Sequence, residues 1–341
     1  MTLQKTDIHR FEVPDPHHGA VPCAAILPRD AARSLPCCLF LYGGGGSHQT
    51  LIDIEPLLAS WWASGALPPM VVATPDVGPW SFYLDDPARG LCWESFVTDR
   101  FVPHLTARFV LSPAGLGRGL VGVSMGGYGA LKIAFSRAPD FAAVAAVSPM
   151  VEPARTADRV PLRNRFHYPA EVPAALLGQT RDEALYERDH PASRARAHAA
   201  QLQRNALAVY IDAAGRDALH AHDGAEYVHR TLWQLDIAHE YRLRRDSDHI
   251  GPGFIERLRE AFVWVGRHIA PAPVVDMTPA ERAWLSWMES GCSTVAPSSA
   301  LPPESPLLPR LLRAQLASRS RPAAAQDPTM HRVYGVLPND T

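Results

Sequence analysis

The stretch GLVGVSMGGYGAL, residues 119–131, decides the fold of this chain. It contains the pattern G-x-S-x-G centred on Ser124. The serine follows a short apolar run that is typical of a buried strand, and apolar residues recur at helical spacing after it. We therefore predict a sharp turn between a strand and a helix, which would lift the Ser124 hydroxyl to where a base can reach it.

The glycines of this stretch fit the same interpretation. Gly122 and Gly126 leave room for close packing around a strained turn. A helix beginning at Met125 directs free N–H groups and a positive dipole end toward the place where an oxyanion would form. A glycine-rich loop without chemistry can carry the same short motif, but the flanking strand and helix favour a nucleophile.

Composition limits the classes of protein to consider. The chain has 341 residues, 47% hydrophobic and 20% charged, which is ordinary globular composition. A net charge of -2 gives no electrostatic basis for binding nucleic acid or a membrane surface. No apolar run is long enough for a transmembrane helix, and residues 1–10 do not form a secretory signal.

Cysteine usage predicts the compartment. There are five cysteines, an odd number, and no C-x-x-C pattern. Several lie in apolar runs, so we expect a reduced, cytoplasmic protein with buried thiols. The adjacent His17 and His18 lie in a turn-rich break and lack a third ligand at a useful spacing, so no metal site is predicted.

Strands alternate with helices along most of the chain, which predicts an α/β fold with a mostly parallel sheet. Strands are predicted at 8–13, 21–27, 35–42, 70–74, 141–147, 207–212 and 240–243. Helices are predicted at 57–64, 93–109 with a bend at Pro103, 226–235, 254–269 and 279–290. We expect a domain over 1–270 with a cap-like insertion at 151–204, followed by a Pro/Ser/Ala-rich extension at 271–341 that contains an apolar segment at 307–316.

The four glycines at 43–46 directly follow the strand at 35–42. They lack the Gly-Lys-Ser/Thr ending of a P-loop. An oxyanion-hole loop belongs at this place, ahead of the nucleophile strand, although a plain flexible turn is the alternative. The backbone donors would be Met125 and Gly44, with Gly45 as the second choice in the glycine loop.

A serine nucleophile needs a base, and the base needs an orienting acid. The order Ser, Asp, His suits this kind of turn. His249 follows the last predicted strand and is favoured over four other histidines, His220, His222, His229 and His239. Asp217 is favoured over Asp223 and over Asp212, which we expect at a strand end, holding the loop through backbone amides.

Two further segments bear on the substrate. The loop over 76–93 is rich in aromatics, of which Trp80, Tyr83 and Trp93 are candidate substrate contacts, although core packing would explain them equally well. The insertion carries many arginines, which either attract an acidic substrate or form a solvated helix face. Together these segments weakly favour a polar or acidic portion in the substrate.

These features together resemble the esterase D, antigen 85 and feruloyl esterase branch of the α/β-hydrolases. The resemblance rests on the segment 41–47, on Thr74-Pro75-Asp76 with Trp80 and Tyr83, on 122–131, on 212–217 and on the loop of His249, and it covers residues 8–270. It implies an α/β-hydrolase fold with helices on both faces of the sheet, and a Ser124, Asp217 and His249 triad. Tyr42 departs from the family, whose members often carry His before the glycines.

The sequence therefore predicts a serine esterase that cleaves a small-molecule carboxylic ester through an acyl-enzyme, without a cofactor or metal. Three alternatives stay open: an acyltransferase with the same triad, a thioester hydrolase that resembles the formylglutathione-cleaving relatives, and a non-catalytic binding protein. The apolar segments of the extension predict docking on their own domain or on a second copy of the chain.

Overall fold

The computed structural model describes residues 5–29, 34–112, 117–165, 183–205, 207–251, 253–270, 278–289, 295 and 297–300. The predicted apolar segment 307–316 and Cys292 lie outside these residues. The other four cysteines, Cys23, Cys37, Cys38 and Cys92, are free and buried. Burial raises the pKa of the Cys23 and Cys37 thiols to about 12.

The strands in chain order are Thr6–Asp15 (β1), Gly19–Pro28 (β2), Cys37–Leu41 (β3), Val71–Pro75 (β4), Asp85–Asp86 (β5), Leu91–Cys92 (β6), Arg118–Val123 (β7), Ala143–Val147 (β8), Ala208–Ala214 (β9) and Glu240–Arg244 (β10). The helices are Gln49–Asp53 (α1), Glu55–Ala63 (α2), Trp93–Ser95 (α3), Val102–Arg108 (α4), Met125–Ser136 (α5), Leu162–Arg165 (α6), Glu183–Asp189 (α7), Pro191–Ala197 (α8), Ala199–Asn205 (α9), Ala221–Gln234 (α10), Phe254–Ile269 (α11) and Pro279–Glu289 (α12). Single 3₁₀ turns lie at Pro87–Arg89, Ala138–Asp140 and Ala157–Arg159.

Eight of these strands form one sheet in the order β1-β2-β4-β3-β7-β8-β9-β10. The strand β2 pairs antiparallel with β1 and β4, and every other pair in the sheet is parallel. Helices cover both faces, as in α/β-hydrolases, which confirms the predicted fold class. The small strands β5 and β6 pair separately, within the aromatic loop.

Burial explains why these segments form central strands. Every residue of β3, β7, β8 and β9 is buried, as expected for parallel strands covered on both faces. The edge strand β10 instead carries charged, largely exposed side chains, which protect the edge from pairing with another chain. Within the described residues, no helix combines the length and the apolar character needed to cross a lipid bilayer.

The helix predicted over 93–109 has a more complex form. The segment Phe96–Phe101 is π-helical and joins α3 to α4 just before Pro103. Proline has no amide hydrogen to donate to the preceding turn, so the helix changes its hydrogen-bonding pattern there. The short helix α1, directly after the glycine loop, has no counterpart among the predicted elements.

The parallel strands bring the predicted site residues to one edge of the sheet. The carboxyl ends of β3, β7, β9 and β10 lead into the glycine loop, Ser124, the loop of Asp217 and the loop of His249, respectively. Ligands of open α/β sheets bind at this edge because parallel strands all end there. The topology therefore assembles residues that are far apart in the sequence.

Candidate active site

Ser124 lies on the sharp turn between β7 and α5. Its backbone has φ 55° and ψ -116°, a conformation that residues other than glycine rarely adopt. The serine N–H donates to Val147 O at 2.9 Å, and the serine carbonyl accepts from the N–H groups of Tyr128 and Met150. These bonds to β8, α5 and the loop after β8 hold the strained residue in place.

The two glycines of the motif are required by close packing. A Cβ on Gly126 would overlap the Leu41 carbonyl oxygen, and a Cβ on Gly122 would overlap the Gly126 carbonyl oxygen. The first turn of α5 is therefore in direct contact with β3 and β7. Only glycine at both positions permits the turn that carries Ser124.

The structure brings Ser124, His249 and Asp217 into one hydrogen-bonded chain. His249 Nε2 lies 2.9 Å from Ser124 Oγ, and His249 Nδ1 lies 2.7 Å from Asp217 Oδ2. The histidine and the aspartate are both buried. This is the arrangement in which a base can take a proton from a serine while a carboxylate orients the imidazole.

The surroundings of Asp217 keep it ionised. Burial acts to raise the pKa of its carboxyl, but the hydrogen bond and charge of His249, with the N–H groups of Leu219 and Ala221, outweigh burial and lower that pKa. The Leu219 N–H donates to Asp217 Oδ1 at 2.9 Å. One carboxylate oxygen is thus occupied by the backbone and the other faces the imidazole.

Asp248 connects the loop that carries Asp217 to the loop that carries His249. Its carboxylate accepts from the N–H of Ala218 at 2.9 Å and from the N–H of His249 at 2.6 Å. These two backbone bonds lower the pKa of the Asp248 carboxyl. Asp248 therefore holds the loops together and leaves the imidazole to Asp217.

The other candidate histidines have different surroundings. His229 Nδ1 lies 2.7 Å from His239 Nε2, so these two rings contact each other. His222 Nε2 lies 3.5 Å from Asp223, and His220 is the residue from which α10 begins. Asp223 also pairs with Arg163 at 2.5 Å. None of these contacts involves Ser124.

Asp212 lies inside β9, so the expectation that it sits at a strand end and holds the loop through backbone amides is wrong. Its Oδ1 accepts from Arg257 Nε at 2.7 Å. Burial raises the pKa of the Asp212 carboxyl, against the opposing charge of Arg257. The buried carboxylate is thus the partner of a buried guanidinium from α11.

Arg257 connects β9, the residue after β8 and the loop of His249. Besides Asp212 it donates to Ser148 Oγ at 2.6 Å, after β8, and to the carbonyl oxygen of Asp248 at 2.7 Å, the residue before His249. Its side chain is only 3% exposed. Sequence reasoning missed this residue because an arginine on an amphipathic helix is usually a surface residue.

The glycine loop offers Gly44 as a backbone donor. Gly45 is less suitable, because its N–H already donates to Pro79 O at 2.8 Å. Gly44 has no space for a side chain, since a Cβ there would overlap the Trp80 ring. Met125 is the first residue of α5, where amide groups have no partner within the helix.

Tyr42, directly before the four glycines, anchors the glycine loop. Its hydroxyl accepts from the Val77 N–H at 2.7 Å and lies 3.2 Å from Gly78 O and 3.3 Å from Asp76 Oδ1. The tyrosine is fully buried. It therefore fixes the glycine loop against the loop that follows β4.

A cavity of about 400 Å³ opens beside Ser124. Its walls are the glycine loop, the loop of His249, and apolar side chains from β3, α11 and the aromatic loop. The lining residues are Phe40, Gly43, Gly44, Gly46, Thr50, Ile54, Trp80, Phe82, Val123, Ser124, Met125, Met150, Leu219, His249, Ile250, Phe254 and Leu258.

Of the three aromatic candidates, the structure places only Trp80 in this cavity. Tyr83 is fully buried, and its hydroxyl donates to Tyr42 O at 3.4 Å. Trp93 stacks on His18 with ring centroids 3.6 Å apart. Tyr83 and Trp93 therefore do not line the cavity, whereas Phe82, another aromatic of the same loop, does.

Several described arginines of the insertion contact side chains away from Ser124. Arg155 lies 3.1 Å from Glu187, Arg194 lies 2.9 Å from Asp189, and Arg196 lies 3.2 Å from the Tyr227 hydroxyl. Among the described residues, no arginine lines the cavity of Ser124. These side chains therefore supply no positive charge that could bind an acidic substrate in the cavity.

A buried ion cluster ties the insertion to α5. Lys132 Nζ lies 3.0 Å from Glu94 Oε2 and 3.9 Å from Asp189 Oδ1, and Arg194 contacts both carboxylates. Burial acts to raise the pKa of Asp189, but the charges of Lys132 and two arginines lower it. Over the residues that can be described, no group of three metal-ligating side chains occurs.

Comparison with known proteins gives a family and a fold. The model of the putative esterase family matches residues 26–263. Esterase Rv1288 of Mycobacterium tuberculosis is 32% identical over 116 residues, which is 32% of this chain and 25% of that protein. The aligned part thus spans about a quarter of the length of that relative.

Solved structures agree with the fold. A ferulic acid esterase superposes with a TM-score of 0.63 at 20% identity, over 78% of this chain and 99% of its own. An S-formylglutathione hydrolase from Agrobacterium tumefaciens superposes with a TM-score of 0.59 at 18% identity, over 79% and 100%. The resemblance to this branch of α/β-hydrolases, which the sequence predicted, is confirmed.

Proposed function

The chain belongs to the putative esterase family, and on that basis we propose that it is a serine hydrolase of small-molecule carboxylic esters. In this proposal Ser124 is the nucleophile, His249 the general base and acid, and Asp217 the group that orients the imidazole. Residues 1–270 form the catalytic domain, with the insertion at 151–204 as part of it. The extension at 271–341 takes no part in the chemistry.

The first half of the reaction forms an acyl-enzyme. Ser124 Oγ attacks the ester carbonyl carbon while His249 Nε2 removes the hydroxyl proton. Asp217 stabilises the imidazolium that results. When the tetrahedral intermediate collapses, the C–O bond to the alcohol breaks, and the imidazolium returns the proton to the departing alcohol oxygen.

The second half releases the acid. Water donates its proton to His249 Nε2 and attacks the acyl carbon, and the C–O bond to Ser124 breaks as the proton returns to the serine oxygen. The N–H groups of Gly44 and Met125 donate to the oxyanion in both halves. Loss of one such donor typically costs about 3 kcal/mol of transition-state stabilisation.

One observation carries the proposal. His249 contacts Ser124 Oγ at 2.9 Å through one nitrogen and Asp217 at 2.7 Å through the other. Both contacts are buried beside an apolar cavity. A hydroxyl, an imidazole and an ionised carboxylate in this order are the parts that acyl transfer requires.

Rapid mixing with p-nitrophenyl butyrate tests the proposal. We expect a burst of p-nitrophenol equivalent to about one per protein chain if deacylation is the slower step, and an acid-quenched protein heavier by one butyryl group. Peptide mapping should find that group on Ser124. Acylation at another residue, or a burst without any acyl-protein under acid quench, would contradict the assignment. Added alcohols distinguish hydrolysis from acyl transfer by the products they yield.

A further inference from the structure

We propose that the cavity beside Ser124 is an acyl pocket that selects uncharged, apolar acyl groups well longer than acetyl. This inference rests on the proposed function of Ser124. It concerns which ester the site accepts, and it comes from where the cavity lies and which side chains surround it.

The cavity reaches from the site into the protein core. Gly44 and Met125, the proposed oxyanion donors, line it on one side. Phe40 and Leu258 line it too, and they are only 2% and 1% exposed. A carbonyl carbon held between Ser124 and the oxyanion donors can therefore direct its chain inward, among buried side chains.

The alcohol portion leaves on the opposite side. His249 must protonate the departing oxygen, so the alcohol lies next to the imidazole. The neighbouring Ile250 is 68% exposed and marks the open side of the cavity. The acyl chain is thus the portion that becomes buried, and the alcohol is the portion that faces solvent.

The walls exclude charge. Among the residues that the structure describes, the lining contains no aspartate, glutamate, lysine or arginine, and its polar side-chain groups are the Thr50 and Ser124 hydroxyls, the His249 imidazole and the Trp80 indole N–H. Five described arginines of the nearby insertion contact other side chains, namely Arg155, Arg163, Arg188, Arg194 and Arg196. A carboxylate on the acyl chain would lose its hydration and find no partner, which is unfavourable.

The volume favours a chain of several carbons. A cavity of about 400 Å³ lies in the size range of ligand pockets, and an acetyl group would leave most of its apolar wall uncovered. A fully buried methylene can raise kcat/KM by at most about four-fold while the chain still fits, and a partly buried one raises it less. We expect the increase to continue to about eight carbons before the pocket is full.

A chain-length series on the full chain tests this inference. The substrates are p-nitrophenyl esters from acetate to decanoate, below their micelle concentrations, together with a p-nitrophenyl ester whose acyl chain ends in a carboxylate. We expect kcat/KM to rise at least ten-fold from acetate to octanoate. For the carboxylate-ended ester, kcat/KM should be at least a hundred-fold lower than for the neutral ester of the same length.

Two tryptophan variants locate the acyl chain. Ile54 lines the cavity, so Ile54→Trp should lower the octanoate to acetate ratio of kcat/KM at least ten-fold. Leu57 lies on α2, half-buried and outside the lining, so Leu57→Trp should keep the wild-type ratio. Because the ratio is measured within each variant, partial unfolding does not change it. The wild-type series decides alone if neither variant folds.

The outcomes separate this inference from the proposed function. Best activity on acetate, or equal activity on the carboxylate-ended ester, overturns the apolar acyl pocket and leaves the serine mechanism intact. An Ile54→Trp substitution that lowers kcat/KM equally for all esters also overturns the apolar acyl pocket. Ester turnover at the wild-type rate by a folded Ser124→Ala variant contradicts the proposed function itself, whatever the chain length.

Discussion

At the scale of single residues, the site depends on a strained serine and an ionised aspartate. Ser124 holds a positive φ of 55° because its backbone is bonded to Val147, Tyr128 and Met150. Strain of this kind costs about 1–3 kcal/mol and persists only where the surroundings enforce it. Asp217 keeps its charge through His249 and the backbone of Leu219.

Replacing the proposed acid should reduce catalysis without unfolding the protein. In Asp217→Asn the amide NH2 can donate to His249 Nδ1, which leaves the proton on Nε2, and the neutral amide no longer stabilises the imidazolium. We therefore expect kcat on p-nitrophenyl butyrate to fall about 10⁴-fold. Asp246→Asn is the matched control, because Asp246 is 87% exposed and pairs only with the exposed Arg216. Equal rates for the wild type and Asp217→Asn would remove Asp217 from the mechanism.

The lowered pKa of Asp217 also predicts a pH dependence of stability. A carboxyl whose pKa is lower in the folded state stabilises that state above its unfolded pKa, and loses this contribution as the pH falls through the folded pKa. The ordinary pKa of an aspartate carboxyl is 3.8. Between about pH 5 and 3, the free energy of unfolding should therefore fall more steeply for the wild type than for Asp217→Asn. Urea titrations of both proteins at several pH values measure this difference. An identical dependence of the free energy of unfolding on pH in the two proteins would contradict the prediction.

The sequence could predict Ser124, Asp217 and His249 because each follows a recognisable strand and their order fits the turn. It could not tell which aromatic faces the cavity. Phe82 and Tyr83 both have positive φ, 49° and 53°, so the chain reverses locally and no simple alternation applies. Phe82 consequently lines the cavity while Tyr83 packs into the core.

At the scale of elements, α11 stabilises the loop that carries His249. Arg257 on this helix reaches Asp212 on β9, Ser148 after β8 and the carbonyl of Asp248. The bounds of α11, 254–269, could be predicted from its amphipathic periodicity. The inward direction of Arg257 could not, because it depends on a carboxylate that lies in a distant strand.

Removing Arg257 should affect both stability and catalysis. Arg257→Met removes the hydrogen-bonded partner of the buried Asp212 and leaves only the more distant charge of Arg244, whose Nε lies 3.8 Å from Asp212 Oδ2. The free energy of unfolding should therefore fall by about 3 kcal/mol. The loop of His249 also loses a bond, so kcat should fall while KM changes little. Urea unfolding and ester kinetics on the same preparation measure both effects.

A double variant separates the two roles. Arg257→Met with Asp212→Leu removes both charges, so most of the lost stability should return while kcat stays low. Arg259→Met is the surface control, since Arg259 pairs with the 60% exposed Glu256, and it should change stability by less than about 1 kcal/mol. Recovery of kcat together with stability would show that Arg257 has no part in positioning His249.

At the scale of the whole molecule, a parallel sheet gathers residues that lie more than a hundred positions apart. Ser124 and His249 are separated by 125 residues in the chain and contact each other through Oγ and Nε2. The alternating strand and helix pattern was sufficient to predict this convergence. The pairing of Lys132 with Glu94 and Asp189 was not predictable, because a lysine in an apolar helix gives no sign of its partner.

The extension should be dispensable for chemistry. In a truncated chain of residues 1–270, kcat/KM on p-nitrophenyl acetate should remain within about three-fold of the full chain, because the described triad and cavity residues all lie before residue 271. Circular dichroism and thermal unfolding should first establish that the truncated protein is folded. A folded truncated protein without activity would place the extension at the site.

The most direct measurement of the central claim compares the wild type with Ser124→Ala. Turnover of p-nitrophenyl butyrate and labelling by a fluorophosphonate are measured on both, with Ser60→Ala as a control serine on α2. We predict that the wild type and Ser60→Ala turn over the ester and are labelled, while Ser124→Ala does neither. Turnover or labelling that survives in a folded Ser124→Ala variant would contradict the account.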